Sequence, residues 1–387
     1  MNHQNTYLFR DILERIEVPV NVEPDKEYVQ IGIRSHGKGL FYKEPVLGKI
    51  LGNKQVFWIQ PNCFILNVVF AWEQAVTKTT ENEVGMIGSH RFPMYRPKND
   101  LVDIDYLIYY FLTKRGTDIL EAASPGGAGR NRTLGQERFL KSKITLPPLP
   151  EQQKIAAILS TQDKVIELKE KLLAQKQQQK KYLMQQLLTG KKRLPGFDRK
   201  WNYVKANEIF KSIVDKSHDG KLEVLSSTQD KGIVPRSQVD IDIKYNENSL
   251  STYKKVCEGD FVISLRSFQG GIEYSNYAGI VSPAYTVLRA IVKIDAGYYK
   301  QFFKSSNYIK RLNVAVYGIR DGKQISYDDF GQIKIPVPPI EEQREVAKVL
   351  STADHEIDLL QKSIEAEKQK KKALMQLLLT GKVRVKI

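Results

Sequence analysis

Apolar residues recur at alternating four- and three-residue steps in two stretches of the chain. Near the C-terminus the series is Val346, Leu350, Ala353, Ile357, Leu360, Ile364, then Leu374 and Leu378, with Glu367 and Lys371 interrupting it. In mid-chain it is Ile155, Leu159, Gln162, Ile166, Lys169, Leu173, Lys176, Lys180, Leu183 and Leu187, so its middle is polar. That spacing predicts two long helices, each with a coiled-coil seam. Pro150 with Glu151, and Glu341 with Glu342, suit helix starts, where proline loses no hydrogen bond and carboxylates face the positive dipole end. Gly190 and Gly381 suit left-handed C-caps, with Lys191 and Lys382 beside the last carbonyls. About 40 residues separate these signals, or roughly 60 Å of helix. One seamed helix cannot bury its stripe alone. The economical arrangement is antiparallel packing of the two, with a pseudo-twofold axis, one globular region at each end and the termini close together. The alternative is that each helix binds a separate partner or mediates dimerisation.

Outside these helices the pattern changes to short runs of β type. In the first half they are YVQIGI at 28–33, QVFWI at 55–59, CFILNVVF at 63–70 and VGMIGS at 84–89, followed by an amphipathic helix at Ile104–Lys114. In the second half they are EVLSS at 223–227, GDFVISL at 259–265 and AYTVLRAIVKI at 284–294, then a helix at Tyr298–Lys310. Each half reads as α+β with strands predominating. The boundaries are 1–143 and 194–335 for the globular regions, and 144–193 and 336–387 for the helices.

The two helical stretches are copies. From Lys143 the chain reads KITLPPLPEQQKIAAILS and closes on LTGK; from Lys334 it reads KIPVPPIEEQREVAKVLS and closes on LTGK. Ser160 and Ser351 differ by 191, as do Gly190 and Gly381, so the copies align without a gap. Phe139 and Phe330 keep that spacing, whereas likeness before residue 100 is faint. Two units are too few for a solenoid. A constant frame carrying divergent regions implies one repeated job and two different readings.

The frame and the variable region before each copy resemble the specificity subunit of a type I restriction-modification system, and the likeness covers essentially the whole chain. It implies two target-recognition domains separated by two conserved helices. Each domain would read one half of a split, asymmetric DNA sequence. The helices would act as a ruler and as a dock for two methyltransferase (modification) subunits that methylate adenine, joined by restriction subunits. S-adenosylmethionine, ATP and magnesium belong, on this resemblance, to those partners, and this chain holds no cofactor. The opening segment seen before the second domain (KKRLPGFDRKWNYVKANEIF) is nearly absent before NTYLFRDILERI, which leaves the first strand open. The rivals are the same architecture in a related phage-exclusion methyltransferase, a helical adaptor that binds only proteins, and a stand-alone methyltransferase or nuclease.

Composition adds charge and exclusions. The 387 residues carry a net +16, densest at 144–193, where ten basic residues face four acidic ones. Such a balance favours a polyanionic partner such as double-stranded DNA. No apolar run is long enough for a membrane span, the N-terminus lacks a secretory pattern, and Cys63 and Cys257 fit no metal or disulfide framework. A cytoplasmic protein is expected. The chemistry of catalysis is missing. No Asn/Asp-Pro-Pro-Tyr/Phe loop of an adenine methyltransferase occurs, and no Gly-Lys is followed by the Ser or Thr of a phosphate-binding loop. Asp242-Ile243-Lys244 is a chance-level echo of a nuclease motif, and the five histidines offer no metal or triad spacing.

Three polar clusters per half suit DNA reading. The first half has Arg34, Ser35, His36 and Lys38; then His90-Arg91 with Arg96 and Lys98; then a glycine-rich loop with Arg130, Asn131 and Arg132. The second half offers Thr228, Gln229 and Lys231; then Arg266 and Gln269; then Arg320, Lys323 and Gln324, as counterparts in that order. Lysine and arginine would supply phosphate contacts, while glutamine, asparagine and bidentate arginine supply base choice. Equally, serine and threonine there could only form turns. The basic run Gln175–Arg193, with Lys180, Lys181, Lys191 and Lys192, would lie along phosphates of the unread spacer, or form a solvated helix face.

Overall fold

The structure is a computed structural model that describes residues 5–52, 55–126, 132–239, 247–315 and 325–386. The chain divides into two compact units, residues 1–169 with 363–387 and residues 170–362. Both long helices, Leu149–Leu187 and Ile340–Leu378, cross that division. Each unit therefore combines one globular region with part of each long helix.

In unit 1 the strand Asn5–Leu8 pairs antiparallel with Lys143–Leu146, which leads into the first long helix. The first strand is thus present despite the short opening segment. A four-stranded antiparallel sheet follows, in the spatial order Leu13–Ile16, Met94–Pro97, Phe64–Leu66, Val76–Lys78. Unit 2 repeats both features. Asn202–Lys205 pairs with Lys334–Val337, and the sheet runs Phe210–Ile213, Thr286–Ala290, Phe261–Ile263, Glu273–Tyr274. Regions with little sequence likeness share one topology, because alternation specifies a buried sheet face and not the identity of the side chains on it.

Aromatic packing fixes each sheet to its helices. Phe9 stacks on Phe139 at 4.7 Å, and Phe64 on Phe111 at 5.4 Å, with Ile155 and Leu159 of the first long helix in the same core. In unit 2, Phe210 meets Tyr299, Phe303 and Phe330, and Val346 and Leu350 join that core. Two helices expected as single pieces are broken. Ile104–Phe111 ends and Lys114–Ala122 begins at Thr113, whose hydroxyl caps the N–H of Gly116 at 3.2 Å. Ala296–Phe303 likewise gives way to Ser306–Ala315 beside the hydroxyl of Ser305, which accepts from the Tyr308 N–H. Local hydroxyl caps override a continuous apolar face in both places. The run 28–33 splits into Glu27–Tyr28 and Ile31–Ile33, and 63–70 keeps only Phe64–Leu66 as strand before a turn. The other expected runs shorten to Val56–Trp58, Ile87–Ser89, Leu225–Thr228 and Phe261–Ile263, with Thr286–Ala290 the longest.

The long helices run antiparallel within each unit. In unit 1 the start of the first lies against the end of the second, and in unit 2 its end lies against the start of the second. Every seam position is buried or half-buried. Ile155, Leu159, Ile166, Leu187, Val346, Leu350, Ile364 and Leu378 are buried, while Leu173, Leu183, Ile357, Leu360 and Leu374 are partly so. The polar interruptions are cross-helix bonds. Lys169 reaches Glu367 at 2.7 Å, Lys371 reaches Asp163 at 2.5 Å, and Lys176 reaches Glu356 at 2.7 Å. Gly190 and Gly381 take φ of 70° and 73°, the left-handed caps the sequence asks for.

Candidate nucleic-acid interface and its helical frame

The frame is anchored by the same polar residues in each unit. Glu342, fully buried, accepts from Arg193 Nε and Nη2 at 2.6 Å each and from the Trp201 indole at 2.8 Å. Glu151, buried in unit 1, is gripped in the same fork by Arg384. Both pairs keep the repeat spacing of 191. Next to them, Gln343 donates to Pro338 O at 2.8 Å and accepts from the Asp295 N–H at 2.9 Å. Gln152 donates to Pro147 O at 2.8 Å and accepts from the Asp103 N–H at 3.0 Å. The repeated Pro-Pro-x-x-Glu-Gln therefore does more than start a helix. Its glutamate binds the segment after the other long helix, and its glutamine ties the helix to the globular region. Sequence reasoning took Glu151 and Glu342 only as dipole partners and Arg193 only as the end of a basic run, and it gave Gln152, Gln343 and Arg384 no contact. Their identity at constant spacing was the available signal.

In unit 1 two of the polar clusters converge on the segment 67–75, which links the strands Phe64–Leu66 and Val76–Lys78. The loop after Ile31–Ile33 docks there through Ser35, whose hydroxyl donates to Glu73 at 2.8 Å, and through the His36 N–H on Glu73 O. Arg34 lies over Phe41 and donates to Leu40 O, so its guanidinium holds its own hairpin. His36 and Lys38 are exposed. Arg132 lies over the Trp72 ring at 5.5 Å. The remaining cluster, that of His90 and Arg91, arrives through the backbone: the Val68 N–H donates to the carbonyl of Arg91, a residue whose side chain is exposed. Arg96 is also exposed, on the strand paired with Leu13–Ile16. Arg130 and Asn131 lie outside the described residues. Trp72 and Glu73, the hub of this arrangement, went unremarked in the sequence because they lie just past the run at 63–70 read as strand, in the turn Ala71–Glu73.

In unit 2 the corresponding segment, between the strands Phe261–Ile263 and Glu273–Tyr274, is 264–272, and it carries Arg266 and Gln269, both exposed. By topology this segment matches 67–75 rather than 90–96, which corrects the pairing of clusters expected from sequence order. Thr228 is a turn-former: its hydroxyl donates to Gly232 O at 2.9 Å and accepts from the Lys231 N–H. The Gln229 side chain lies against Gly270, so this turn and the Arg266–Gln269 segment are neighbours. Lys231 is exposed. Arg320, Lys323, Gln324 and the triplet Asp242-Ile243-Lys244 fall outside the described residues. On the basic run, Lys176, Lys180 and Arg193 are spent on ion pairs, leaving Lys181, Lys191 and Lys192 exposed. Among the described residues no group of His, Cys, Asp and Glu is placed to hold a metal, and no helix is long and apolar enough to cross a membrane.

Two α+β units share one plan, with Arg132 lying over Trp72 of the sheet loop in unit 1 and Arg266 and Gln269 carried by the matching loop in unit 2, and together they make a duplicated scaffold. The family model described as type I restriction modification DNA specificity domain matches twice, at residues 21–177 and 198–368, and the chain belongs to this family. It is 29% identical over 317 residues to the type I restriction enzyme MjaVIII specificity subunit of Methanocaldococcus jannaschii, covering 75% of this chain and 72% of that one. Its fold is that of the HsdS subunit from Thermoanaerobacter tengcongensis (TM-score 0.55, 20% identity, 98% and 97% of the two chains). It is likewise that of the type I restriction-modification S subunit from M. genitalium (TM-score 0.57, 14% identity, 97% and 96%).

Proposed function

We propose that this chain is the non-catalytic subunit that gives a type I restriction-modification complex its DNA sequence. Residues 1–143 read one half of a bipartite, asymmetric target and residues 194–335 read the other. The paired helices set the unread gap and dock two adenine methyltransferase subunits, to which restriction subunits are added. S-adenosylmethionine, ATP and magnesium are the partners' to hold. The observation that carries this reading is a constant frame joined to unlike readers. The Arg193–Glu342 and Arg384–Glu151 forks repeat at the same spacing, yet the matching sheet loops hold Trp72 and Glu73 in one unit and Arg266 and Gln269 in the other. Exposed arginine and lysine supply phosphate attraction, and different side chains at base edges select different bases.

The test is methylation-sensitive sequencing of DNA from cells carrying the complex. The expected result is methyladenine in a motif of two unlike halves separated by a fixed unspecified gap. A continuous motif would overturn the reading. So would failure of the purified chain, with its partner, to retard duplex DNA, which is the outcome a protein-only adaptor predicts.

A further inference from the structure

Each unit has a cleft between its long helix and the short helix Ile104–Phe111 or Ala296–Phe303, of about 490 Å³ in unit 1 and about 440 Å³ in unit 2. The floors match through the repeat. Asp103 and Asp295 cap the short helices through the N–H groups of Tyr106 and Tyr298, at 2.8 and 2.9 Å. On the long helices Asp163 accepts from Tyr109 Oη at 2.7 Å and pairs with Lys371, while Asp354 accepts from Gln301 Nε2 at 2.6 Å and pairs with Lys180.

The rims differ. Where unit 1 has Asp105, Ile108, Gln153 and Ala157, unit 2 has Gly297, Lys300, Arg344 and Lys348. Asp105 is already paired with Lys78 at 2.8 Å. Lys300, Arg344 and Lys348 are exposed, and none of the three has a carboxylate partner among the described residues. One lost acid and three added bases separate two clefts built on one floor.

We propose that the unit 2 cleft docks an acidic segment of the methyltransferase subunit, and that the unit 1 cleft takes the same segment more weakly, so that the two copies load in order with unit 2 first. This rests on the function proposed above. A protein segment fits better than DNA. Asp354 on the floor is already matched by Lys180, so the unpaired charge of the cleft is the basic rim, and a concavity of this size admits side chains but not a duplex. Charges on a docking rim act mainly through encounter rate and salt dependence, and a focused positive potential raises association by about tenfold or more.

The experiment assembles the full-length chain with its cognate methyltransferase subunit and follows stoichiometry by native mass spectrometry as salt rises. The wild type is expected to pass through a one-to-one complex. The triple variant Lys300→Glu, Arg344→Glu, Lys348→Glu should hold one methyltransferase at low salt, with the fast association phase slowed about tenfold or more. Giving unit 1 the other rim, by Gln153→Arg with Ala157→Lys, should merge the two loading steps. If the triple variant holds both subunits with wild-type salt dependence, the proposal is wrong and the functional reading stands. Retention of both subunits with weakened DNA binding would make the rim a phosphate contact and also overturn it. A wild-type chain that binds no methyltransferase removes the reading itself.

Discussion

Glu342 is withdrawn from water, and its charge is matched by a guanidinium fork and an indole N–H. Removing one partner of a buried pair leaves an uncompensated charge, at a cost of about 3 to 5 kcal/mol. Arg193→Ala is expected to lose stability near the low end of that range, since Trp201 still donates; chemical denaturation of the full chain measures it. Arg384→Ala should lose at least as much, because Glu151 is also buried and, among the described residues, no indole donor joins Arg384 on it. Glu367 illustrates a polar residue at a seam. Hydrogen bonds from Lys169 and then Gln162 hold its carboxyl down at about 2, against about 4.3 for an ordinary glutamate. A carboxyl lowered on folding stabilises the native state above its unfolded value, and that contribution fades as pH falls from about 4.3 towards 2. Glu367→Gln should therefore flatten the acid limb of stability over that window, read as melting temperature against pH. An unchanged limb would mean that the two bonds are solvent-screened.

At the level of elements, the basic end of the first long helix divides its cations between two tasks. Lys176 and Lys180 face the second helix and pair with Glu356 and Asp354, whereas Lys181, Lys191 and Lys192 face water. Reversing Lys180 would therefore confound frame stability with DNA affinity. The cleaner variant is Lys181→Glu, Lys191→Glu, Lys192→Glu. It should weaken cognate and random duplexes alike and lower the salt slope of binding by up to about three, as fluorescence anisotropy across a salt series would detect. Unaltered affinity at low salt would place the phosphates elsewhere. The seam was legible in the sequence because each named position is apolar or pairs across the helices. The two broken helices were not, since a hydroxyl cap at Thr113 or Ser305 leaves the apolar period nearly intact.

For the molecule as a whole, duplication separates stability from specificity. Replacing residues 1–143 by the corresponding region of another family member should change one half of the methylated motif and leave the other unchanged. Adding one heptad to each long helix, which preserves the seam phase, should change only the gap. Both outcomes are read by sequencing methylated DNA, and a change in both halves would show that the readers are not independent.

Periodicity, turn residues and the repeat at 191 established by themselves that there would be two long helices, two α+β regions and a duplicated plan. Those properties depend on local order along the chain. Which polar residues face each other was decided by tertiary structure alone. The forks of Arg193 on Glu342 and Arg384 on Glu151, the docking of Ser35 on Glu73, and the match of 264–272 with 67–75 all join residues distant in sequence. Ion pairing and hydrogen bonding act over a few ångströms whatever the sequence separation, so the repeat at 191 marks Arg193 with Arg384 and Glu151 with Glu342 as equivalent positions but does not say which faces which.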